Sequence, residues 1–192
     1  MARLYSSIIF KMKDIVARVI SNPRYLKNIE YGKPRSGHPE GKVKFHIAEL
    51  EANLEKLAPR ITAEQYWKLK FLIHVHDTFK VEAVPDSPIE SPHSHASLAT
   101  QFASEFTEEA DLLAMIQFHD LNFALWKQFA AKGSYDMNRF SRLLDTIQDW
   151  DLFLMFLILD GGTQGKDPDK VRWFIQEVRR YKSITVDESW IL

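Results

Sequence analysis

Apolar side chains recur every three or four positions along most of this chain, the mark of helices that bury one face. Ile8, Met12, Ile15, Val16 and Val19 outline a first amphipathic helix, which Asn22-Pro23 ends. Gly32, Pro34, Gly37, Pro39 and Gly41 make residues 28–42 a loop. A helix follows over about 43–57 and stops near Pro59. Thr62 and Gln65 have capping-box spacing. They open a helix that carries Trp67, Phe71, Leu72 and Val75 toward residue 77. Pro85, Pro88 and Pro92 make 82–93 the longest irregular link. Helices are predicted over about 94–105 and 108–118, the second announced by Thr107 with Glu108 and Glu109 in its first turn. Another covers about 120–131 and ends at Gly133. A long helix over about 136–160 stops at Gly161-Gly162, where glycine can take the left-handed cap. Asp167-Pro168 starts the last helix, with proline at its first position. No segment alternates like a strand, and no repeat or interdomain linker interrupts the pattern. The prediction is an all-α chain, one helical-bundle domain over residues 1–192.

Composition narrows the partners. A chain of 192 residues can bury a real core in one domain. With 25 basic and 26 acidic side chains, net charge −1, there is no evident nucleic-acid track and no basic face for an anionic membrane. A local phosphate-binding pocket remains compatible with that balance. The absence of cysteine excludes disulfides and thiolate zinc, so any metal must take imidazole and carboxylate. It also fits a reducing compartment, hence a cytoplasmic protein. The longest apolar run, Leu152–Leu159, lies between Asp151 and Asp160 and falls well short of the ~20 residues of a membrane span. Arg3, Lys11, Lys13 and Arg18 give the N-terminus the charge of a transit peptide, but its helical spacing reads as part of the fold.

The chemistry gathers around Phe71–Lys80, FLIHVHDTFK, where His76-Asp77 follows an apolar run. Neighbouring helical side chains diverge by roughly 100°. A cation beside the helix end can still take both. Lys80, three residues on, returns to the Asp77 side, where an ammonium suits an anionic substrate. All the histidines lie between His38 and His119. His46 falls early in the second helix, His95 at the start of the fourth, His119 at the end of the fifth, and Asp160 closes the long apolar helix. Antiparallel helices can bring such ends together, as bundles do when they build metal sites from facing helices. Each residue also has a plainer structural reading: a core histidine, a capping residue, a surface pair, a terminal acid. An acid at a helix C-terminus opposes the dipole, so Asp160 calls for a nearby cation. His74, two residues from His76, points away and reads as structural; His93 reads as exposed.

The order His46, His76-Asp77, Asp160 resembles the HD superfamily of metal-dependent phosphohydrolases. The segment Gly37-His38-Pro39-Glu40-Gly41, with His46 five residues later, resembles the HD domain attached to bacterial tRNA nucleotidyltransferases. The stretch from Ser94 and the histidine at 119 fit the same group. Phe79 and Ser94 depart from the smaller residues common there. The nucleotidyltransferase domain is absent, so tRNA does not follow as substrate.

That resemblance implies an all-α fold and hydrolysis of a small phosphate ester, typically a nucleotide. It implies that His46, His76, Asp77 and Asp160 bind one divalent ion, with Asp77 bridging to a second held by His95 and His119. Asp77 and Lys80 would carry the catalysis. Imidazole and oxygen ligands suit Mn, Fe, Co, Ni or Mg. The alternative is a non-catalytic metal- or nucleotide-binding sensor or interaction module on the same scaffold. Homo-oligomer formation stays open at this point.

Overall fold

Thr62 Oγ1 accepts a hydrogen bond from the Gln65 backbone N at 3.1 Å, and Gln65 Oε1 accepts one from the Thr62 backbone N at 2.9 Å. This reciprocal cap satisfies two donors that a helix start leaves free, and it opens the helix Ala63–Val75. The structure, a computed structural model, describes the backbone of residues 2–192 and the side chains of residues 9–192. In chain order the helices are α1 (Ala2–Ile20), α2 (Pro23–Asn28), α3 (Val43–Leu57), α4 (Ala63–Val75) and α5 (His95–Ala103). They continue with α6 (Ala110–Phe118), α7 (Leu121–Lys132), α8 (Met137–Thr146), α9 (Trp150–Gly161) and α10 (Asp169–Arg179). The fold is all-α; among the described residues there is no strand, only an isolated bridge between Arg35 and His38. No described helix is long and apolar enough to cross a membrane.

Helices α4 and α9 form the centre. Helix α4 touches α1, α3, α5, α6 and α9. In α9 every residue from Leu152 to Leu159 is buried, as expected of a helix that is apolar all round. Met12, Ile15, Val16 and Val19 of α1 are buried along α4, so the stretch from Met12 to Val19 is packed into the fold. Ile8 lies outside the described side chains. One apolar cluster joins residues from Met12 to Val186, the core of a single domain. A fully buried Leu or Phe in it contributes ~1.5–3 kcal/mol through surface removed from water.

The structure departs from the sequence pattern at several points. The predicted long helix is broken into α8 and α9 at Ile147–Asp149. Asp111, from α6, accepts backbone hydrogen bonds from Gln148 (2.9 Å) and Asp149 (2.8 Å), and Asp149 in turn caps Leu152 N at 2.9 Å. Gly161 lies inside α9, and Gly162 caps it at φ −87°, not in the left-handed region. Both glycines answer to packing: an added Cβ would lie 2.5 Å from Val171 Cγ2 at Gly161 and 2.6 Å from Ile191 Cγ2 at Gly162. Pro168 is the N-cap of α10 rather than its first residue. Helix α6 begins at Ala110, because Thr107 Oγ1 accepts from Glu109 N in the turn before it. The short α2, capped by Asn22, was not predicted. Gly133 does cap α7 in the left-handed conformation, φ 69°.

Candidate metal centre

The ends of α3, α4, α5, α6 and α9 meet at one place. His76 caps α4, and Asp77 follows as the chain turns. Thr78 Oγ1 donates to the His74 carbonyl at 2.5 Å, satisfying a terminal carbonyl of α4. His46 lies in the first turn of α3. Asn53, further along α3, donates from Nδ2 to the carbonyls of Leu159 and Gly162, both at 3.2 Å. That clamp ties α3 to the end of α9 and so places Asp160 beside His46. Ser94 caps α5, with Oγ accepting from Ser97 N at 3.0 Å, and His95 is the first residue of that helix. His119 caps α6.

All the predicted ligands are brought together, arranged in two halves about Asp77. On one side, His46 Nε2 lies 3.0 Å from Asp160 Oδ1 and 3.8 Å from Asp77 Oδ2. His76 Nε2 lies 3.5 Å from Asp77 Oδ2 and 3.9 Å from Asp160 Oδ1. On the other side, Asp77 Oδ1 lies 3.5 Å from His119 Nε2 and 3.7 Å from His95 Nε2. The tautomers are set from behind. His76 Nδ1 donates to the carbonyls of Leu72 (3.2 Å) and Ile73 (3.1 Å), and His119 Nδ1 to that of Ile116 (2.7 Å). In each neutral ring Nε2 is then a lone-pair nitrogen facing the cluster.

Charge in the cluster is balanced by the chain's own cations. Lys80 donates to Asp77 Oδ2, and Lys166 Nζ donates to Asp160 Oδ1 at 2.6 Å. Burial works against ionised Asp77, but Lys80, His76 and His119 outweigh it and hold its carboxyl well below the usual range. Burial likewise opposes charge on Asp160, and Lys166 and His46 outweigh it in the same direction. Burial pushes His76 down to about 3, so it is neutral at pH 7. Lys80 is raised: burial disfavours its charge, and Asp77 and Asp120 more than restore it.

These residues fit a divalent ion. His76 Nε2 is buried and has no hydrogen-bond partner, an arrangement that is costly for a polar atom unless something binds it. Ligand atoms sharing an ion at ~2.0–2.2 Å stand roughly 3–4 Å apart, which is the spacing found here. Buried His and Asp groups in both halves can therefore hold a metal. The cluster opens on a cavity of about 1070 Å³ lined by His38, Glu40, His46, Asp77, Lys80 and His95.

Other expectations sort cleanly. His74 is structural: Nδ1 meets Tyr25 Oη at 2.5 Å and Nε2 meets Glu51 at 3.2 Å. His93 is exposed. Phe79 turns into the core against Phe102, ring centroids 4.9 Å apart, and leaves the cluster untouched. Sequence reasoning missed Lys166 and Asn53, which no local motif marks. The acid–dipole argument at Asp160 called for a cation without naming one. Asp120 also joins the cluster, with Oδ2 3.2 Å from His95 Nε2. No protein-family model, curated protein or solved structure matches this chain.

Proposed function

We propose that this chain is a divalent-metal-dependent phosphohydrolase acting on a small, nucleotide-like phosphate ester. The observation that carries the reading is Asp77, whose two carboxylate oxygens each face a separate set of imidazole Nε2 atoms beside an open cavity. His46, His76, Asp160 and Asp77 Oδ2 would hold one ion; Asp77 Oδ1, His95 and His119 would hold a second. The donor set suits Mn, Fe, Co, Ni or Mg. Such an ion supplies Lewis acidity toward a phosphoryl oxygen and toward water. Lys80, held by Asp77 at the cavity wall, offers positive charge to the phosphoryl oxygens. Asp120 is placed to orient a water beside His95. Lys33 and Arg35 border the cavity and favour an anionic occupant. Its volume of about 1070 Å³ lies just above the ~300–1,000 Å³ of small-molecule sites. The resemblance to HD phosphohydrolases in the order of the ligands points the same way.

One observation favours the sensor reading. Lys80 on Asp77 and Lys166 on Asp160 already neutralise both carboxylates of the first half, so the scaffold can persist without an ion. A screen of nucleoside mono-, di- and cyclic phosphates, each with Mn, Co, Ni or Mg, separates the two. Turnover abolished by EDTA supports the hydrolase. No turnover above a metal-only blank across the panel leaves the sensor.

A further inference from the structure

Glu40 is a buried carboxylate, its side chain 4% exposed, in the irregular loop before α3. Its side-chain partners are imidazoles: Oε1 lies 2.8 Å from His38 Nδ1 and 3.3 Å from His46 Nδ1. Glu40 Oε2 and His46 Nδ1 are both buried without a hydrogen-bond partner. Burying a carboxylate beside no ammonium or guanidinium is unfavourable, so stability alone does not explain this side chain.

The loop is shaped to put it there. Gly32 (φ +117°) and Gly41 (φ +80°) approach so closely that a Cβ would lie 2.3 Å from Gly41 O at the first and 2.8 Å from Pro34 Cδ at the second. Gly165 (φ +81°), in the turn after α9, meets Pro39 in the same way, 2.7 Å from a would-be Cβ. The loop is thereby packed against the turn that follows Asp160.

From this geometry we infer that Glu40 is a positioning residue for the first metal half-site: once an ion replaces the hydrogen bond between His46 Nε2 and Asp160 Oδ1 (3.0 Å), Glu40 holds the ring with its proton on Nδ1 and its Nε2 lone pair toward that ion. The inference rests on the metal-centre reading. An ion taken by Nε2 leaves the single proton of the neutral ring on Nδ1, where Glu40 Oε1 is the acceptor at hand. Carboxylates that orient a ligating imidazole in this way raise its basicity. A third ion between His38, Glu40 and His46 is the competing use of these atoms. It would require His46 to ligate through both nitrogens as an anion, a far less accessible form than the neutral ring.

The test titrates the full-length wild type, Glu40→Gln and Glu51→Gln with Co(II), read by visible absorption and chelator competition. Glu51 pairs with His74 outside the cluster and controls for loss of a Glu–His contact in general. The expected result is about ten- to hundred-fold weaker binding by Glu40→Gln with an altered cobalt spectrum, and unchanged binding by Glu51→Gln. Wild-type affinity and spectrum in Glu40→Gln overturn the inference alone. A wild type that takes up no cobalt overturns the metal centre and the inference with it. If Glu40→Gln does not fold, long-range proton–nitrogen NMR of the zinc-loaded wild type decides. His46 protonated at Nδ1 and metallated at Nε2 supports the assignment; the reverse, or metal on both nitrogens, overturns it.

Discussion

His95 and His119 face each other through their Nε2 atoms, 3.2 Å apart. His119 already donates from Nδ1 to the Ile116 carbonyl, so in its neutral form Nε2 is a lone pair. If Nε2 of His95 is also unprotonated, two lone pairs confront each other next to Asp77. A proton or a cation between them removes the conflict. Burial disfavours a charged His119, but Asp120 and Asp77 outweigh it and raise its pKa to about 9. Without metal, that proton occupies the position an ion would take.

Loading the second half-site should therefore release a proton. The sign follows from the raised pKa: charge on His119 stabilises the metal-free fold fully below ~6.5 and is lost as pH rises through about 9. Manganese affinity should rise across that window. Calorimetry in two buffers of different ionisation heat reads the proton directly. Affinity that is flat or falling between these pH values would contradict the assignment of His119 as a ligand.

Asp77→Asn keeps the size of the side chain and removes the charge shared by both halves. The wild type should carry up to two ions by elemental analysis. The variant should lose both, since deleting the shared ligand weakens each set. Retention of the wild-type ion count in Asp77→Asn would show that Asp77 does not bridge.

Lys166→Met should separate stability from metal affinity. It leaves Asp160 with no ammonium in contact, only the imidazoles of His46 and His76, so the metal-free protein should lose about 2 kcal/mol. That is below the ~3–5 kcal/mol of fully buried pairs because about a fifth of each side chain is exposed. The same change removes a competing ammonium, so the first ion should bind more tightly. Chemical denaturation and metal titration of one preparation test both halves of the statement; weaker binding would make Lys166 a supporter of the ion.

Acid should unfasten a second network. His74 and Lys70 outweigh the effect of burial and lower the Glu51 pKa to about 2. A depressed carboxylate pKa contributes stability above its unfolded value near 4.5 and loses it as pH falls toward about 2. Glu51→Gln should thus be less stable than wild type at pH 7, by ~1 kcal/mol because the group is about one-third exposed and solvent-screened. The gap should close between pH 4.5 and 2 in urea melts. A constant gap across that range would assign the loss to packing.

Helical periodicity located most elements because their buried faces are local facts: Met12 to Val19 in α1, Phe71 to Val75 in α4, Leu152 to Leu159 in α9. The break before α9 was invisible because its cause is tertiary. Asp111, far away in sequence, captures the backbone amides of Gln148 and Asp149. Glycine chemistry misled at Gly161 and Gly162, where close approach of Val171 and Ile191 sets the requirement. In the cluster, residue type and helix-end placement sufficed to nominate His46, His76, Asp77, His95, His119 and Asp160. They could not show Asn53 clamping α9 or Lys166 reaching Asp160 across the intervening turn, since neither side chain has a distinctive local pattern. Glu40 stood out only as part of the Gly37–Gly41 segment that carries the resemblance, and its contact with His46 had no local mark.

Lys80→Ala tests the catalytic half of the proposal apart from the metal half. Lys80 is not a metal ligand; its ammonium pairs with Asp77 at the cavity wall. If a phosphoryl group enters between the two halves, that charge lies beside oxygens whose negative charge must be stabilised as the ester bond breaks. Losing one such preorganised donor costs ~10²–10³ in turnover in sites of this kind. Lys80→Ala should thus depress kcat by about that factor on any substrate the metal-loaded wild type hydrolyses, with its ion count intact. Asp77→Asn should lose ions and turnover together. The two variants, assayed by steady-state kinetics and elemental analysis on the same samples, then separate an electrostatic role from a ligand role. Equal kcat in Lys80→Ala and wild type would remove Lys80 from the reaction, and loss of metal along with turnover would make it a support for Asp77 rather than a group that meets the substrate.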